Sequence, residues 1–135
     1  MGKRKVGALE KVEADLASLQ YKVRRDPPSY TDDFLNQYNQ YETFRELFFQ
    51  NPSSVDGGGV VSFRDLIDFI SHVADCYPDI TAQFPEDLIQ IITLHHEDLE
   101  TELRDKVVGS LVLLRNKDVI DSSTYATLLK KLRLG

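Results

Sequence analysis

A single cysteine, Cys76, stands in 135 residues, so no internal disulfide can form and nothing ties the chain to an oxidising compartment. No run of about 18 apolar residues occurs, which excludes a membrane-spanning helix. The opening Met1-Gly2-Lys3-Arg4-Lys5 lacks the apolar stretch of a secretory leader. With Val6 where a Ser or Thr is needed, it is not a myristoylation signal either. Neither a leader nor a lipid anchor is expected. Basic residues are scarce in the middle of the chain: residues 26–100 hold Arg45 and Arg64 against fifteen Asp/Glu, a balance of −13. Residues 1–25 carry seven Lys/Arg and three Asp/Glu, a balance of +4, and residues 101–135 carry seven and four, a balance of +3. The whole chain is at −6. Because phosphate binding is dominated by charge, the acidic middle argues against RNA wrapping the whole length. It reads as a solvated face, and only the two basic ends are left as contact points.

What the sequence does have is helical periodicity. Leu9, Val12, Leu16, Leu19 and Val23 follow a 3-4-3-4 spacing, a narrow stripe suited to a helix at the edge of the fold, stopped by Asp26-Pro27-Pro28. Thr31 is placed to cap the next helix, with Asp32 and Asp33 in its first turn. Phe34, Tyr38, Tyr41, Phe44 and Phe48 then recur at helical spacing, with Leu35 and Leu47 beside them, and read as a core face. Residues 51–61, with Pro52 and Gly57-Gly58-Gly59, read as a flexible linker. They form neither a P-loop nor a dinucleotide fingerprint, because Val60-Val61 stands where Lys-Ser/Thr would be needed. Ser62 and Asp65 resemble a capping box ahead of the stripe Phe63, Leu66, Ile67, Ile70, Val73, Ala74, which Tyr77-Pro78 ends. Pro85 opens the partner helix carrying Leu88, Ile89, Ile91, Ile92 and His95.

The most apolar helix is predicted over residues 103–114. Leu103, Val107, Leu111 and Leu114 form its stripe, and Val108, Val112 and Leu113 widen it until it needs cover on most sides. Arg115-Asn116-Lys117 closes it with cations, and Gly109 offers one point of close helix approach. A last helix, capped by Asp121 or Ser122, carries Tyr125, Leu128, Leu129 and Leu132. The first helices of two successive pairs, starting at Phe63 and Leu103, are 40 residues apart, and the second helices, starting at Glu86 and Ser122, are 36 apart. The expected fold is therefore all-α, with antiparallel helix pairs stacked as a short HEAT/armadillo-like α-solenoid. A closed bundle stays open as the alternative. Residues 1–25 are expected to be a basic arm and edge helix, and residues 26–135 a helical-repeat domain.

Candidate chemistry falls short of an active site. Asp65, Asp68, His72 and Asp75 share a helix face but rise over roughly 15 Å and cannot converge on one ion; an Asp68–His72 pair on a wet face is expected instead. His72 and Cys76 are i and i+4, yet no third orienting group is evident, so Cys76 reads as a small buried thiol near a helix end. His95 and His96 are adjacent and face apart, and the His-Glu-x-x-His pattern is not formed. No enzyme, metal, cofactor or small-molecule substrate is expected. The candidate RNA or protein contacts are the basic residues at the two ends: Lys3, Arg4, Lys5, Arg24 and Arg25, then Arg115, Lys117, Lys130, Lys131 and Arg133.

Several blocks carry a family resemblance. Leu19-Gln20, Arg25-Asp26-Pro27, Tyr30 and Phe34 are followed by Cys76-Tyr77-Pro78, Phe84-Pro85 and Leu88. Leu103-Arg104, the run L-V-L-L-R-N-K over residues 111–117, and Val119-Ile120 complete the set. In these blocks and their spacing, from about residue 16 onward, the chain resembles the N-terminal part of the severe-depolymerisation-of-actin family. The resemblance implies a nuclear and nucleolar helical-repeat scaffold, acting in assembly and export of the large (60S) ribosomal subunit. It further implies binding to pre-60S particle proteins near a remodelling ATPase and its adaptor complex; the charge distribution, and not the resemblance, leaves the basic ends as the places where rRNA could be met. A link to actin organisation comes with the same family, so a cytoskeleton- or transport-linked adaptor that never meets ribosomes is the alternative.

Overall fold

The computed structural model describes residues 16–50, 57–95, 99, 101–120, 123, 126, 127 and 130; among them there are helices and turns and no strand. Residues 16–25 form α1, which sets Leu16 and Val23 into the common core and is closed by the Asp26 N–H on the Lys22 carbonyl at 3.0 Å. A 3-10 turn, Pro27–Tyr30, leads directly into α2, Thr31–Gln50. Thr31 is therefore not the N-cap the sequence suggests. Its backbone is already helical (φ −59, ψ −45), whereas a cap residue is not. Its hydroxyl instead lies 3.3 Å from each of the carbonyls of Pro27 and Pro28.

α3 runs Gly57–Val73 and continues into a 3-10 turn, Ala74–Cys76. The three glycines are thus in the first turn of a helix and not in a linker, a correction to the expected boundary at Ser62. Each glycine costs about 1 kcal/mol relative to alanine, but a helix anchored by later buried turns can extend over such residues. α4 is Phe84–His95, with Pro85 in its first turn as expected, and α5 is Thr101–Asn116. Residues 123, 126, 127 and 130 are helical, in line with a last helix. Its proposed caps and its stripe, Tyr125, Leu128, Leu129 and Leu132, lie outside the described residues, as do Leu9, Val12, Asn51, Pro52, His96 and the side chain of His95.

α5 ends in a way its sequence does not advertise. The Val119 N–H bonds the Leu114 carbonyl at 2.9 Å and the Asp118 N–H bonds the Arg115 carbonyl at 3.0 Å, with Asp118 left-handed at φ 60. That is a Schellman closure with aspartate where glycine is usual. Asp is one of the few side chains that tolerate this backbone.

The helices join in the manner of stacked pairs. α3 packs most extensively on α5, the first helix of the next pair; α2 packs on α3, and α4 rests on α5. This stacking of equivalent helices, together with the purely helical content, makes the fold an all-α solenoid of HEAT-like helix pairs. One continuous core holds Phe34, Tyr38, Tyr41 and Phe48 of α2, the full predicted stripe of α3 plus Phe69, and Leu88, Ile89, Ile91 and Ile92 of α4. Leu103, Val107, Leu111 and Leu114 of α5 complete it. α5 is less enclosed than its sequence suggests: Val112 is 36% exposed and Gly109 lies at the surface. No described helix is long and apolar enough to cross a membrane.

Candidate functional site

Where α3 and α5 lie side by side, their outward edges leave an open groove of about 540 Å³. Arg64, Asp68 and His72, one turn apart along α3, form one wall. Glu102, Asp105, Lys106, Gly109, Ser110 and Leu113 form the other wall and the floor. The i, i+4, i+8 spacing places the three α3 residues in one row. Two rungs cross the groove: Arg64 pairs with Glu102, and the Lys106 ammonium meets the Asp68 carboxylate at 3.1 Å. Both rungs span 38 residues of sequence. His72 occupies the third position of the row. Its Nδ1 lies 2.8 Å from the Asp68 carbonyl and 3.7 Å from the Asp68 carboxylate. The expected Asp68–His72 pairing is thus mainly a ring-to-backbone bond, and the Asp68 carboxylate belongs to Lys106. Gly109 does not mediate the close helix approach its sequence position suggests: a Cβ added there meets nothing within 4 Å.

A second cluster gathers the basic residues that the sequence sets apart. Arg24, at the end of α1, donates from Nη1 to the Asp75 carboxylate at 2.7 Å and to the His72 carbonyl at 3.1 Å, and reaches the Cys76 sulfur at 3.7 Å. Lys117, just past α5, meets the same Asp75 oxygen at 3.7 Å. Asp75 therefore clasps the ends of α1, α3 and α5 together, and two of the predicted contact residues serve as internal struts. Cys76 is half-buried, not fully buried as its sequence position suggests, and its sulfur is reached by Arg24 at 3.7 Å. Burial pushes its thiol up; Arg24 and Lys117 pull the other way without offsetting it. A thiol held neutral is a poor nucleophile.

The remaining predicted contacts are dispersed. Arg25 lies over the Tyr21 ring at 5.4 Å and donates to its hydroxyl at 3.0 Å. Arg115 and Lys130 are exposed. Lys3, Arg4, Lys5, Lys131 and Arg133 lie outside the described residues. The charge count by region could not have located the Asp75 clasp, because Arg24 lies 51 residues from Asp75 along the chain and Lys117 is also distant from it.

A third polar cluster is buried and was not legible in the sequence. The Tyr41 hydroxyl donates to Asp87 at 3.1 Å, and Arg45 Nε stands 3.5 Å from the same carboxylate. At that distance the Arg45 contact is an ion pair without a hydrogen bond, and Nε has no other partner among the described residues. Burial raises Asp87 above the ordinary carboxylate range, opposed by Arg45 and by the Tyr41 bond. Burial and the Asp87 charge likewise push Tyr41 well above the usual tyrosine range and Tyr38 up to about 12. Asp87 is 3% exposed, beside the aromatic side chains of α2. Among the described residues, no group of three or more His, Cys, Asp or Glu is placed to hold a metal ion.

With this geometry in hand, likeness to known proteins decides the family. The profile described as "SDA1, HEAT repeat" matches residues 69–134. Protein SDA1 of Chaetomium thermophilum is 57% identical over 129 residues, 96% of this chain and 17% of that protein. The chain belongs to the SDA1 family. Protein sda1 of Schizosaccharomyces pombe is 44% identical over 124 residues, 92% of this chain and 16% of its own length. The SDA1 homologue of Drosophila melanogaster is 35% identical over 106 residues, 78% and 14% respectively. This SDA1-family chain therefore spans about a sixth of the length of these curated relatives. The HEAT profile begins inside α3, so it takes in most of the α3–α4 pair, all of α5 and the residues beyond it up to 134. The groove floor and one of its walls fall within it.

Proposed function

We propose that the chain is a non-catalytic scaffold in assembly and nuclear export of the large ribosomal subunit, working in the nucleolus and nucleus. The observation that carries this reading is membership of the SDA1 family along 96% of the chain, joined to a solenoid whose α3–α5 seam opens into a groove. The expected neighbours are proteins of the pre-60S particle, among them a remodelling ATPase and its adaptor complex. A scaffold of this kind works by surface area and shape, and stacked helix pairs provide both without a catalytic pocket. Two of the polar clusters are engaged internally: Asp75 pairs with Arg24 and Lys117, and Asp87, 3% exposed, pairs with Tyr41 and Arg45.

Contact with rRNA would fall to the basic ends. Arg24, Arg25, Arg115 and Lys130 are the described, exposed members of that set; Arg24 is tied to Asp75, as is the less exposed Lys117. Sucrose-gradient sedimentation of the tagged protein tests the main reading. Co-migration with pre-60S particles supports it. A nuclear-depleted protein that purifies with actin regulators and stays at the top of the gradient would replace it with the cytoskeletal adaptor.

A further inference from the structure

The α3–α5 groove is unevenly furnished. Its first two rungs are closed by Arg64–Glu102 and Asp68–Lys106. The third, at the same spacing of 38 residues, sets His72 against Ser110, and neither side chain answers the other. Ser110 is 3% exposed and its hydroxyl has no hydrogen-bond partner among the described residues, a costly state for a buried polar group. The His72 ring donates from Nδ1 to the Asp68 carbonyl, which in the neutral ring leaves Nε2 as an acceptor. Nε2 has no partner among the described residues. Gly109 lines the same groove, and a side chain added there would enter open space. Beside it, one turn back on α5, Asp105 lines the rim with no ion pair among the described residues. The third rung is therefore a gap with a floor, one unmet hydroxyl, one ring acceptor and one unneutralised carboxylate.

We infer that this gap is a docking site for an extended peptide segment of a partner protein that carries Lys or Arg. The inference rests on the scaffold reading above and names the surface and partner chemistry it would use. A peptide backbone supplies N–H groups along its edge, and one of them suits the His72 acceptor. A basic side chain of the peptide pairs with Asp105. The walls hold three carboxylates, Asp68, Glu102 and Asp105, against two cations, Arg64 and Lys106, and both cations are already engaged across the groove. That balance repels a phosphate backbone and favours a basic peptide. The volume of about 540 Å³ suits a few residues, with the rest of the segment lying along the helices.

The test uses Gly109→Leu, which fills the gap from a position with room for it, and a library of random linear dodecapeptides displayed on phage. Peptides are selected on the wild-type chain and counter-selected on the variant, then synthesised. The expected winners are rich in Lys or Arg, shift the amides of residues 64–72 and 102–113, and bind Gly109→Leu at least about tenfold more weakly. Asp105→Asn, an exposed and conservative change, is expected to weaken the same peptides and keeps the test valid if Gly109→Leu disturbs folding. Failure to obtain any peptide that distinguishes the variants overturns the inference, as do winners rich in Asp and Glu, or amide shifts elsewhere. An oligoribonucleotide that shifts the groove amides and displaces the peptide also overturns it. Particle sedimentation of wild type keeps the two ideas apart: co-migration without peptide binding sinks only the groove, and peptide binding without co-migration sinks only the ribosomal role.

Discussion

Two seams meet on α3, and they are built from opposite materials. Toward α2 the seam is aromatic and sealed: Phe63 lies 5.9 Å from Tyr41, 5.8 Å from Phe48 and 6.5 Å from Phe44, centroid to centroid. Phe34 stacks on Tyr77 at 4.4 Å, and the Tyr77 hydroxyl donates to the Pro27 carbonyl at 2.7 Å, fixing the α1–α2 corner to the end of α3. Toward α5 the inner layer is aliphatic, Leu103, Val107, Leu111 and Leu114, and the outer layer is the charged ladder and its gap. Large flat rings close a seam to its edge and leave nothing to bind. Small aliphatics let the helices pack tightly below while charged residues, which must stay wet, hold the edges apart above. The difference separates a part of the solenoid that stores stability from one that offers surface.

The sharpest way to break that contrast is to attack both inner layers. Leu111 is 1% exposed in the middle of α5, and Leu111→Asp buries a charge with no partner. The expected loss exceeds about 4 kcal/mol, comparable with the whole stability of a small domain, so the chain should lose its cooperative transition in thermal or urea melts. An unchanged melt would show that α5 is not an interior helix. Next come two neighbours on α3 that face different seams. Phe63→Ala should cost about 3–5 kcal/mol through the cavity it leaves. Arg64→Ala should cost less than about 1 kcal/mol, because its partner Glu102 is largely exposed. Equal losses in urea titrations of the two variants would erase the distinction between the sealed and the open side.

A milder probe is alkaline pH, which the sealed seam should feel through its buried tyrosines. Burial raises Tyr38, Tyr41 and Tyr77 above the ordinary tyrosine value of 10 in the folded state, Tyr38 to about 12. Above pH 10 the unfolded chain gives up phenolic protons that the folded chain keeps. The stabilisation from these groups is therefore complete below pH 10 and is lost as pH rises through the folded-state values. Stability should fall steadily between pH 10 and 12, and Tyr38→Phe should make that fall shallower. Identical slopes for wild type and variant would mean that Tyr38 titrates as if exposed.

How much of this is legible in the sequence depends on what periodicity can and cannot encode. The stripes of α2, α3, α4 and α5 are readable because burial repeats with the helix turn, and Phe34, Ile67, Leu88 and Leu103 are buried as expected. The resemblance to the SDA1 family is readable from motif blocks, and the relatives bear it out. The start of α3 is not, because Gly57-Gly58-Gly59 has linker chemistry by local preference and is helical by virtue of the later turns of the same helix. The end of α5 hides for the converse reason, since Asp118 takes the role glycine usually announces. The groove cannot be read at all. Its rungs depend on how far α5 slides along α3, and an apolar stripe fixes which face is buried more firmly than it fixes that register. Arg24 and Lys117 look like free cations in the sequence for the same reason: their partner, Asp75, is brought to them only by the stack.

The smallest effect tests the open seam by adding to it. Glycine inside a helix costs about 1 kcal/mol relative to alanine, and Gly109 lies well within α5. A residue kept small by packing punishes the extra methyl, since a Cβ forced under 3.0 Å from its neighbours has to displace them. Here the added Cβ meets nothing within 4 Å, so only the backbone term remains. Gly109→Ala should therefore raise stability by up to about 1 kcal/mol, visible as a higher urea midpoint with an unchanged slope. A loss of stability would mean that the two helices close over Gly109 in solution and that the gap between His72 and Ser110 is not open. A gain would leave the glycine without a structural reason, and an open gap beside an unmet hydroxyl is then best accounted for by something that enters it.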